Sequence, residues 1–381
     1  MTFAAIEPFY AMEILGRAQA LEAEGRDICH LELGEPGGAP AARVLDAVRA
    51  CLGRPMGYTS AKGNPALRER LARYYEDQHG VAVDPANIVV TMGSSSGFVL
   101  TFLSAFAPGA RIAVTRPGYP AYLNILAALN MRVTEIPLSA ARGWKPAVAD
   151  IEAAHAQAPF EGLLLASPAN PTGAVLNEEE LADIVACCDR LGVRFISDEI
   201  YHGLNYSGRD VSALETSKNH VVINSFSKYY CMTGWRIGWL VMPDDVIRRA
   251  EMMAQSLFIS ASSVSQTAAL AALDERVEYD KRRDDYAASR LLLAEGLKRL
   301  GFGAAEPAEG AFYAYVDASA FTNDTMDFCI RLLDDAGVAA TPGADFDRVG
   351  GGIYVRFSYA GTRRSVEEGL RRMEQYLRAG A

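Results

Sequence analysis

Short apolar segments alternate with longer helical segments between about residues 87 and 255 of this chain. Several of the short segments are apolar at every position, as in strands that are buried between two layers of helices. Such an alternation predicts a mostly parallel sheet built from strand-helix-strand units. The predicted strands cover residues 88–91, 111–115, 132–136, 162–166, 193–197, 221–225 and 237–241.

Two of the intervening helices carry start and stop signals. Asn177 occupies an N-cap position, Glu180 follows three residues later as in a capping box, and Gly192 comes after the last apolar position. The second helix is predicted to begin at Asn64-Pro65 and to end at Gly80. Both helices are expected to support the sheet.

After the last predicted strand the pattern changes to a long charged helix at residues 274–300. The segments "AFYAYVD" and "GIYVRFSYA" then alternate like antiparallel strands, and "RRSVEEGLRRMEQYLRAG" closes the chain as a helix. The sequence therefore predicts an α/β protein with a large domain, containing a mostly parallel seven-stranded sheet between helices, and a smaller α+β C-terminal domain. We expect an N-terminal arm and small-domain segment at residues 1–40, the large domain at 41–275 and the small domain at 276–381.

Composition narrows the classes of function. The chain has 381 residues, enough for two domains, and its net charge of -10 argues against nucleic acid or an acidic membrane as a partner. No segment has the roughly 20 apolar residues of a membrane span, and the N-terminus lacks a secretory pattern. The six scattered cysteines form no Cys-x-x-Cys pair, so we expect reduced cysteines, a cytoplasmic location and no metal.

Polar or glycine-containing segments follow five of the predicted strands. In open α/β sheets, ligands bind beyond the carboxyl ends of the strands, so these segments should meet at one edge. A helix expected to begin at about Ser95 would offer free N–H groups to an anion, although serines also cap helices without any ligand. Together with Ser225, Ser227 and Arg236 this helix start predicts a phosphate site. The five segments are "GSSSG", "RPGYPAY", "SPANPTG", "SDEIYHG" and "SFSKYY".

Lys228 lies in an apolar, aromatic segment, where a lysine either reaches water along its stem or is kept from water for its chemistry. Asp198 ends an apolar strand, where a carboxylate either caps the next turn or meets a cation. Asn170 and Tyr201 can donate hydrogen bonds, but each alone is more often a turn or core residue. Together these groups match the polar edges of pyridoxal phosphate, with Lys228 forming a Schiff base.

The chain resembles the fold-type I pyridoxal-phosphate aminotransferases of class I/II, the aspartate-aminotransferase-like family. The motifs that carry this resemblance occur in the family order over nearly the whole chain. They are "LELGEPGG", "GYTSAKGNPALRERLARYY", "SPANPTG", "SDEIY", "SFSKYYCMTGWRIGW" and "YVRFSYA". The resemblance implies an aminotransferase that moves an amino group between an L-amino acid and a 2-oxo acid by a ping-pong mechanism.

The same resemblance implies roles around the cofactor. Lys228 would carry the Schiff base and move the proton, and Asp198 would keep the pyridine nitrogen protonated. Asn170 and Tyr201 would bind the phenolate oxygen, and Tyr119 would stack on the ring. The residues implied to bind the phosphate are Ser94, Ser95, Ser225, Ser227 and Arg236.

The substrate and the dimer also follow from the resemblance. Arg356 would bind the α-carboxylate of the substrate, with Asn170 and the backbone around Gly34 beside it. Tyr58 would reach the phosphate of a neighbouring subunit, which implies a homodimer. No second arginine is evident for a side-chain carboxylate, so a dicarboxylate-specific enzyme is not favoured, and residues 256–266 are expected to line the pocket.

Two other functions stay open on the sequence alone. A β-lyase or decarboxylase of the same fold would share the motifs around Lys228, because those reactions begin with the same steps. A non-catalytic, cofactor-binding regulator would need a DNA-binding module, and this acidic chain has no room for one before Leu31.

Overall fold

The computed structural model describes residues 6–379. Its helices are α1 Tyr10–Ala23, α2 Ala42–Leu52, α3 Pro65–His79, α4 Gly93–Ala105, α5 Pro120–Ala128, α6 Val148–Gln157, α7 Glu178–Leu191, α8 Asp244–Leu257, α9 Ser263–Ala272, α10 Arg276–Leu300, α11 Thr325–Ala336 and α12 Arg363–Ala379. The strands are β1 Cys29–His30, β2 Ile88–Thr91, β3 Arg111–Arg116, β4 Arg132–Pro137, β5 Gly162–Ala166, β6 Arg194–Asp198, β7 Val221–Ser225, β8 Gly238–Val241, β9 Tyr313–Asp317, β10 Val338–Ala339, β11 Thr341–Pro342 and β12 Tyr354–Ser358.

The predicted strands form one seven-stranded sheet in the order β2-β8-β7-β6-β5-β3-β4. Only β8 runs against its neighbours, so the other six strands point the same way. The sequence-based prediction of a mostly parallel sheet is therefore confirmed, and the strand bounds differ from those predicted by one residue at most.

The helix signals also act as predicted. The Asn177 side chain accepts from the Glu180 amide at 2.9 Å, and the Glu180 carboxylate accepts from the Asn177 amide at 2.8 Å. Asn64 likewise caps α3, through the Ala66 amide at 2.9 Å. One prediction is wrong: α4 begins at Gly93 and not at about Ser95. Gly93 itself, at φ 74°, completes the turn out of β2.

Alternate residues of the central strands face two separate hydrophobic cores. Phe195 packs into the core on one face of the sheet, and Ile196, the next residue of β6, packs into the core on the other. Because both faces are covered by apolar side chains, polar side chains that follow the strands collect at the edge where the parallel strands end. Within residues 6–379, no helix has the length and the apolar character that crossing a membrane requires.

The C-terminal part contains a second, antiparallel sheet in the order β11-β12-β9, packed with α10, α11 and α12. The N-terminal segment joins this part, because β1 pairs with β10 and α1 contacts β11. These contacts agree with an N-terminal segment that belongs to the smaller unit. The boundaries at residues 40/41 and 275/276 stay a prediction.

Candidate active site

A cavity with a water-accessible volume of about 320 Å³ opens at the carboxyl ends of β5, β6 and β7 and extends to the smaller sheet. It brings together residues from the whole length of the chain. All but two of the site residues predicted from the sequence line it: Gly34, Ser94, Ser95, Tyr119, Asn170, Asp198, Tyr201, Ser227, Lys228, Arg236 and Arg356.

Lys228 directs its amine into this cavity, where the Nζ atom donates to the Gly34 carbonyl at 2.6 Å. The amine also lies 5.9 Å from the ring centres of Tyr201 and Phe312. Burial lowers the pKa of Lys228 to about 8, and the positive charge of Arg356 acts in the same direction. A fraction of the amine is therefore neutral, and nucleophilic, near neutral pH.

Asp198 lies at the end of β6 and is almost completely buried. One carboxylate oxygen accepts from the Tyr122 hydroxyl, and the other accepts from the Ile200 amide at 3.1 Å. Burial raises the pKa of Asp198 to about 6, against these two donors and the charge of Lys228. A buried carboxylate with only two hydrogen-bond donors is stabilised further when it binds a cation or another hydrogen-bond donor.

Tyr201 and Tyr313 share a hydrogen bond of 2.8 Å between their hydroxyl oxygens. Burial raises the pKa of both phenols, so both remain protonated donors at neutral pH. Gly34 packs directly against this pair: a Cβ atom at Gly34 would lie 1.7 Å from the Tyr313 hydroxyl oxygen. Only glycine therefore allows the Gly34 backbone to approach both Lys228 and Tyr313.

Arg356 crosses from β12 into the cavity and is 3% exposed. Its Nη1 atom donates to the Asn170 side-chain oxygen at 3.0 Å, and its Nη2 atom donates to the Glu32 carbonyl and to the Thr341 hydroxyl, the latter at 3.2 Å. All three of these acceptors are uncharged, and Nε is buried without a partner among the described residues. The guanidinium therefore retains the capacity to bind an anion such as a carboxylate.

The polar groups around the start of α4 form an anion-binding arrangement. Met92, the residue before α4, makes no side-chain hydrogen bond to the helix start, so the N–H groups of the first turn are available, and Ser94 and Ser95 lie in that turn. The Arg236 guanidinium lies over Gly93, where a Cβ atom would be 2.6 Å from Nη2. Ser227 adds a hydroxyl from the neighbouring loop.

Two predicted residues do not reach the cavity. The Ser225 hydroxyl is turned toward its own loop, since it donates to the Ile237 carbonyl at 3.1 Å and lies 2.9 Å from the Ser227 hydroxyl. Ser225 thus orients Ser227 and does not itself face the cavity. Tyr58 lies outside the cavity and is 82% exposed.

The expectation that residues 256–266 line the pocket also needs correction. Within the described chain these residues lie outside the cavity, and part of the segment borders a surface groove beside Tyr58. The segment is rich in serine, and this composition gave no indication of where the chain turns after α8.

Several residues of the cavity were missed by the sequence reasoning, among them Tyr122, Tyr313 and Glu35. Tyr122 and Tyr313 complete the hydrogen bonds of Asp198 and Tyr201, and Glu35 lines the cavity and accepts from the Thr233 hydroxyl at 2.6 Å. Tyr122 had a usable signal, because it follows Tyr119 at helical spacing, directly after the predicted turn. Tyr313 had none beyond the alternation of its strand.

These residues fit pyridoxal phosphate on chemical grounds. The amine of Lys228 suits its aldehyde, the buried carboxylate of Asp198 suits a protonated ring nitrogen, and the start of α4 with Arg236 suits its phosphate. An amine, a buried carboxylate and an anion site that line one cavity, in an α/β fold of this topology, define a fold-type I pyridoxal-phosphate enzyme.

Comparison with known proteins gives the family. The sequence model of the family "aminotransferase class I and II" matches residues 27–373. The chain therefore belongs to this family and is a pyridoxal-phosphate-dependent aminotransferase. It exchanges an amino group between an amino acid and a 2-oxo acid.

Individual relatives agree over the full length. A valine–pyruvate aminotransferase of Mycobacterium tuberculosis is 44% identical over 379 residues, which are 98% of this chain and 97% of that protein. A crystal structure of an aminotransferase from the same organism has a TM-score of 0.95 at 43% identity, covering 99% of this chain and 98% of the other. The aspartate aminotransferase of Thermus thermophilus with maleate has a TM-score of 0.90 at 30% identity, with 97% of each chain covered. These relatives support an aminotransferase and not a lyase or decarboxylase.

Proposed function

We propose that this aminotransferase takes its amino group from a neutral, apolar L-amino acid and passes it to a small 2-oxo acid. The distribution of charge in the cavity carries this proposal. Among the described residues only two arginines, Arg236 and Arg356, line the cavity, and Glu35 adds a carboxylate. If Arg236 binds phosphate and Arg356 binds the α-carboxylate, no arginine is left for a second carboxylate on the substrate.

The apolar wall of the cavity supports the same substrate class. Phe9, Met12 and Leu15 from the region of α1, with Leu33 and Ile200, contribute this wall. Residues 256–266, beside the exposed Tyr58, contain no basic residue that a neighbouring subunit could insert. The relative that is 44% identical is named for valine and pyruvate, a neutral aliphatic donor and a small 2-oxo acid.

In this proposal Lys228 both attaches the cofactor and carries a proton. When bound, pyridoxal phosphate supplies an electron sink for breaking a bond at the substrate α-carbon. Lys228 would hold the cofactor through its amine, and the same amine, once free, would take the proton from the substrate α-carbon and return it. Its pKa near 8 suits both tasks, because neither the neutral nor the charged form is rare at neutral pH.

Asp198 and Arg356 bind the two ends of the reacting system. Asp198 would accept a hydrogen bond from the protonated ring nitrogen of the cofactor and so keep the ring electron-withdrawing, while the Tyr122 hydroxyl donates to the Asp198 carboxylate and holds it in place. Arg356 binds the substrate α-carboxylate through a planar, bidentate contact. The Arg356 Cζ atom lies 4.3 Å from the Tyr313 ring centre and 4.6 Å from the Phe346 ring centre, and this packing fixes the direction from which the carboxylate approaches. Asn170 must present its oxygen to Arg356, which leaves its NH₂ group as a donor for the cofactor oxygen. Tyr201 would donate to the same oxygen, and Tyr119 would cover the ring.

We also propose that the active form is a cytoplasmic homodimer. Tyr58 is too exposed to act within its own chain, and it borders a surface groove with residues 260–264 that a second copy could cover. A tyrosine from one copy could then reach the phosphate site of the other. The six cysteines, all unpaired and mostly buried, support a reducing compartment.

A spectrophotometric half-reaction screen tests the substrate class. We expect valine, leucine and alanine to convert the loaded enzyme, with kcat/KM at least about 100-fold above that for aspartate or glutamate, since a second carboxylate would be buried without a partner. Lys228→Ala is the control and should show no conversion. Faster conversion with aspartate or glutamate would contradict the proposed substrate class.

A further inference from the structure

Helix α1 begins without a cap of its own. The residue before it, Phe9, offers no side-chain hydrogen bond to the first turn. The free N–H groups are bound instead by Asp345, whose two carboxylate oxygens accept from the Tyr10 amide at 3.0 Å and the Ala11 amide at 3.2 Å. A residue more than 300 positions away thus performs the task that the N-cap residue usually performs.

Asp345 is a buried carboxylate, 7% exposed, and burial raises its pKa to about 6. Keeping a carboxylate out of water is unfavourable unless specific donors compensate it. Here the compensation comes from the two α1 amides, the positive end of the α1 dipole and the nearby charge of Arg356. The charge of Asp345 is therefore tied to the position of α1.

The helix that Asp345 holds forms one wall of the active-site cavity. Phe9, Met12 and Leu15 are three of its apolar lining residues. Two other polar attachments of α1 are weaker because they lie at the surface: the ion pair of Arg17 with Asp334, with side chains 50% and 29% exposed, and the pair of Glu22 with His30, with side chains 44% and 35% exposed. Asp345 therefore provides the buried polar attachment of this wall.

The residue next to Asp345 contacts the rest of the site. The Phe346 ring packs against the Arg356 guanidinium at 4.6 Å, and the Phe346 carbonyl accepts from the Gly118 amide at 3.0 Å. Gly118 precedes Tyr119, whose ring lies 6.0 Å from that of Phe9. One short segment therefore links the carboxylate-binding arginine, the ring-stacking tyrosine and the apolar wall.

We propose that Asp345 is a positioning residue for substrate selection, which fixes α1 so that its apolar side chains contact the side chain of the amino acid bound at Arg356. The inference rests on the proposed function, since it assumes that an amino acid occupies the cavity. It follows that the contribution of Asp345 grows with the size of the substrate side chain. Alanine, which has only a methyl group, should hardly sense the wall, whereas leucine should depend on it.

The test compares Asp345→Ala and Asp345→Asn with the wild-type holoenzyme on alanine, 2-aminobutyrate, valine and leucine. For Asp345→Ala we expect KM for leucine to rise about tenfold, the effect of a lost helix cap, with kcat and cofactor affinity nearly unchanged. KM for alanine should change by less than about twofold. Asp345→Asn keeps one acceptor oxygen and should lie between, so it remains informative if Asp345→Ala folds poorly.

A matched control and a second readout separate positioning from general stability. Asp334→Asn removes the exposed ion pair to the same helix and should leave the ratio of leucine to alanine kcat/KM unchanged. Hydrogen exchange of peptides covering residues 9–20 should accelerate in Asp345→Ala and not in Asp334→Asn, with or without substrate.

Two results would overturn the inference: an equal fall of kcat/KM for all four amino acids, or unchanged exchange and unchanged KM in both Asp345 variants. A different result would show that the proposed function itself is wrong. In that event the wild-type enzyme would convert none of the four amino acids, while the exchange experiment would still report whether Asp345 holds α1.

Discussion

The depressed pKa of Lys228 has a measurable effect on the stability of the cofactor-free protein. The amine has a pKa of about 8 in the folded chain, against 10.5 in the unfolded chain. Below pH 8 both states carry the proton, and the folded state bears the full unfavourable effect of a buried charge. Between about pH 8 and 10.5 the unfolded chain binds more protons, so the free energy of unfolding rises with pH through this group.

The size of this effect follows from the difference between the two pKa values. A separation of about 2.5 pH units corresponds to about 3 kcal/mol for a fully buried amine. Because the Lys228 side chain is partly in contact with water inside the cavity, screening reduces the expected gain to about 2 kcal/mol. This gain is large compared with the ~0.5 kcal/mol of an ordinary surface substitution.

Urea unfolding of the cofactor-free wild-type protein and of the cofactor-free Lys228→Met variant, measured from pH 7 to 10.5, isolates the contribution of Lys228 to the free energy of unfolding. Other groups titrate alike in both proteins, so only the difference between the two free energies of unfolding matters. That difference should favour Lys228→Met most at pH 7 and should shrink by about 2 kcal/mol by pH 10.5. A difference that stays constant over this range would refute the claim that the folded protein depresses the pKa of Lys228.

Two further substitutions test separate parts of the site. Tyr122→Phe removes a donor from Asp198, and since hydrogen bonds to charged groups contribute ~1.5–3 kcal/mol, the pKa of Asp198 should rise by at least about one unit above its value near 6. Cofactor affinity, measured by titration from pH 5 to 9, should then fall by about twofold at pH 7 and by about tenfold near pH 5, with its midpoint moved upward; an unmoved midpoint would show that Tyr122 does not support the charge. Arg356→Lys loses the bidentate geometry, so KM for the amino donor should rise by roughly 10²-fold with full cofactor occupancy, whereas loss of the cofactor would place Arg356 at the wrong end of the cavity.

The sheet could be predicted from the sequence because local signals decide it. Strands such as Ile88–Thr91 and Gly162–Ala166 are short apolar runs between turn residues, and α7 carries its own cap in Asn177 and Glu180. The start of α4 was misplaced because Gly93 and not a capping side chain makes the turn. Local pattern therefore located the elements better than it located their ends.

The site divides in the same way. Lys228, Asp198 and Arg356 could be proposed because burying a charged group is unfavourable unless a partner or a ligand compensates it, and all three lie in apolar segments. The structure shows that they line one cavity. Ser225 could not be separated from Ser227, because two residues apart only the loop geometry decides which hydroxyl faces inward. Asp345 capping α1 is a tertiary contact across almost the whole chain, and no local pattern reports it.

Borohydride reduction followed by peptide mapping tests the central claim most directly. The protein loaded with pyridoxal phosphate should show one reduced adduct, on the peptide containing Lys228. Prior treatment with L-valine should abolish that adduct, because transfer of the valine amino group to the cofactor would leave Lys228 free. Lys62 and Lys218, which bind backbone carbonyls at the surface, serve as internal controls and should stay unmodified. An adduct on these exposed lysines with none on Lys228, or an adduct on Lys228 that no amino acid removes, would contradict the account.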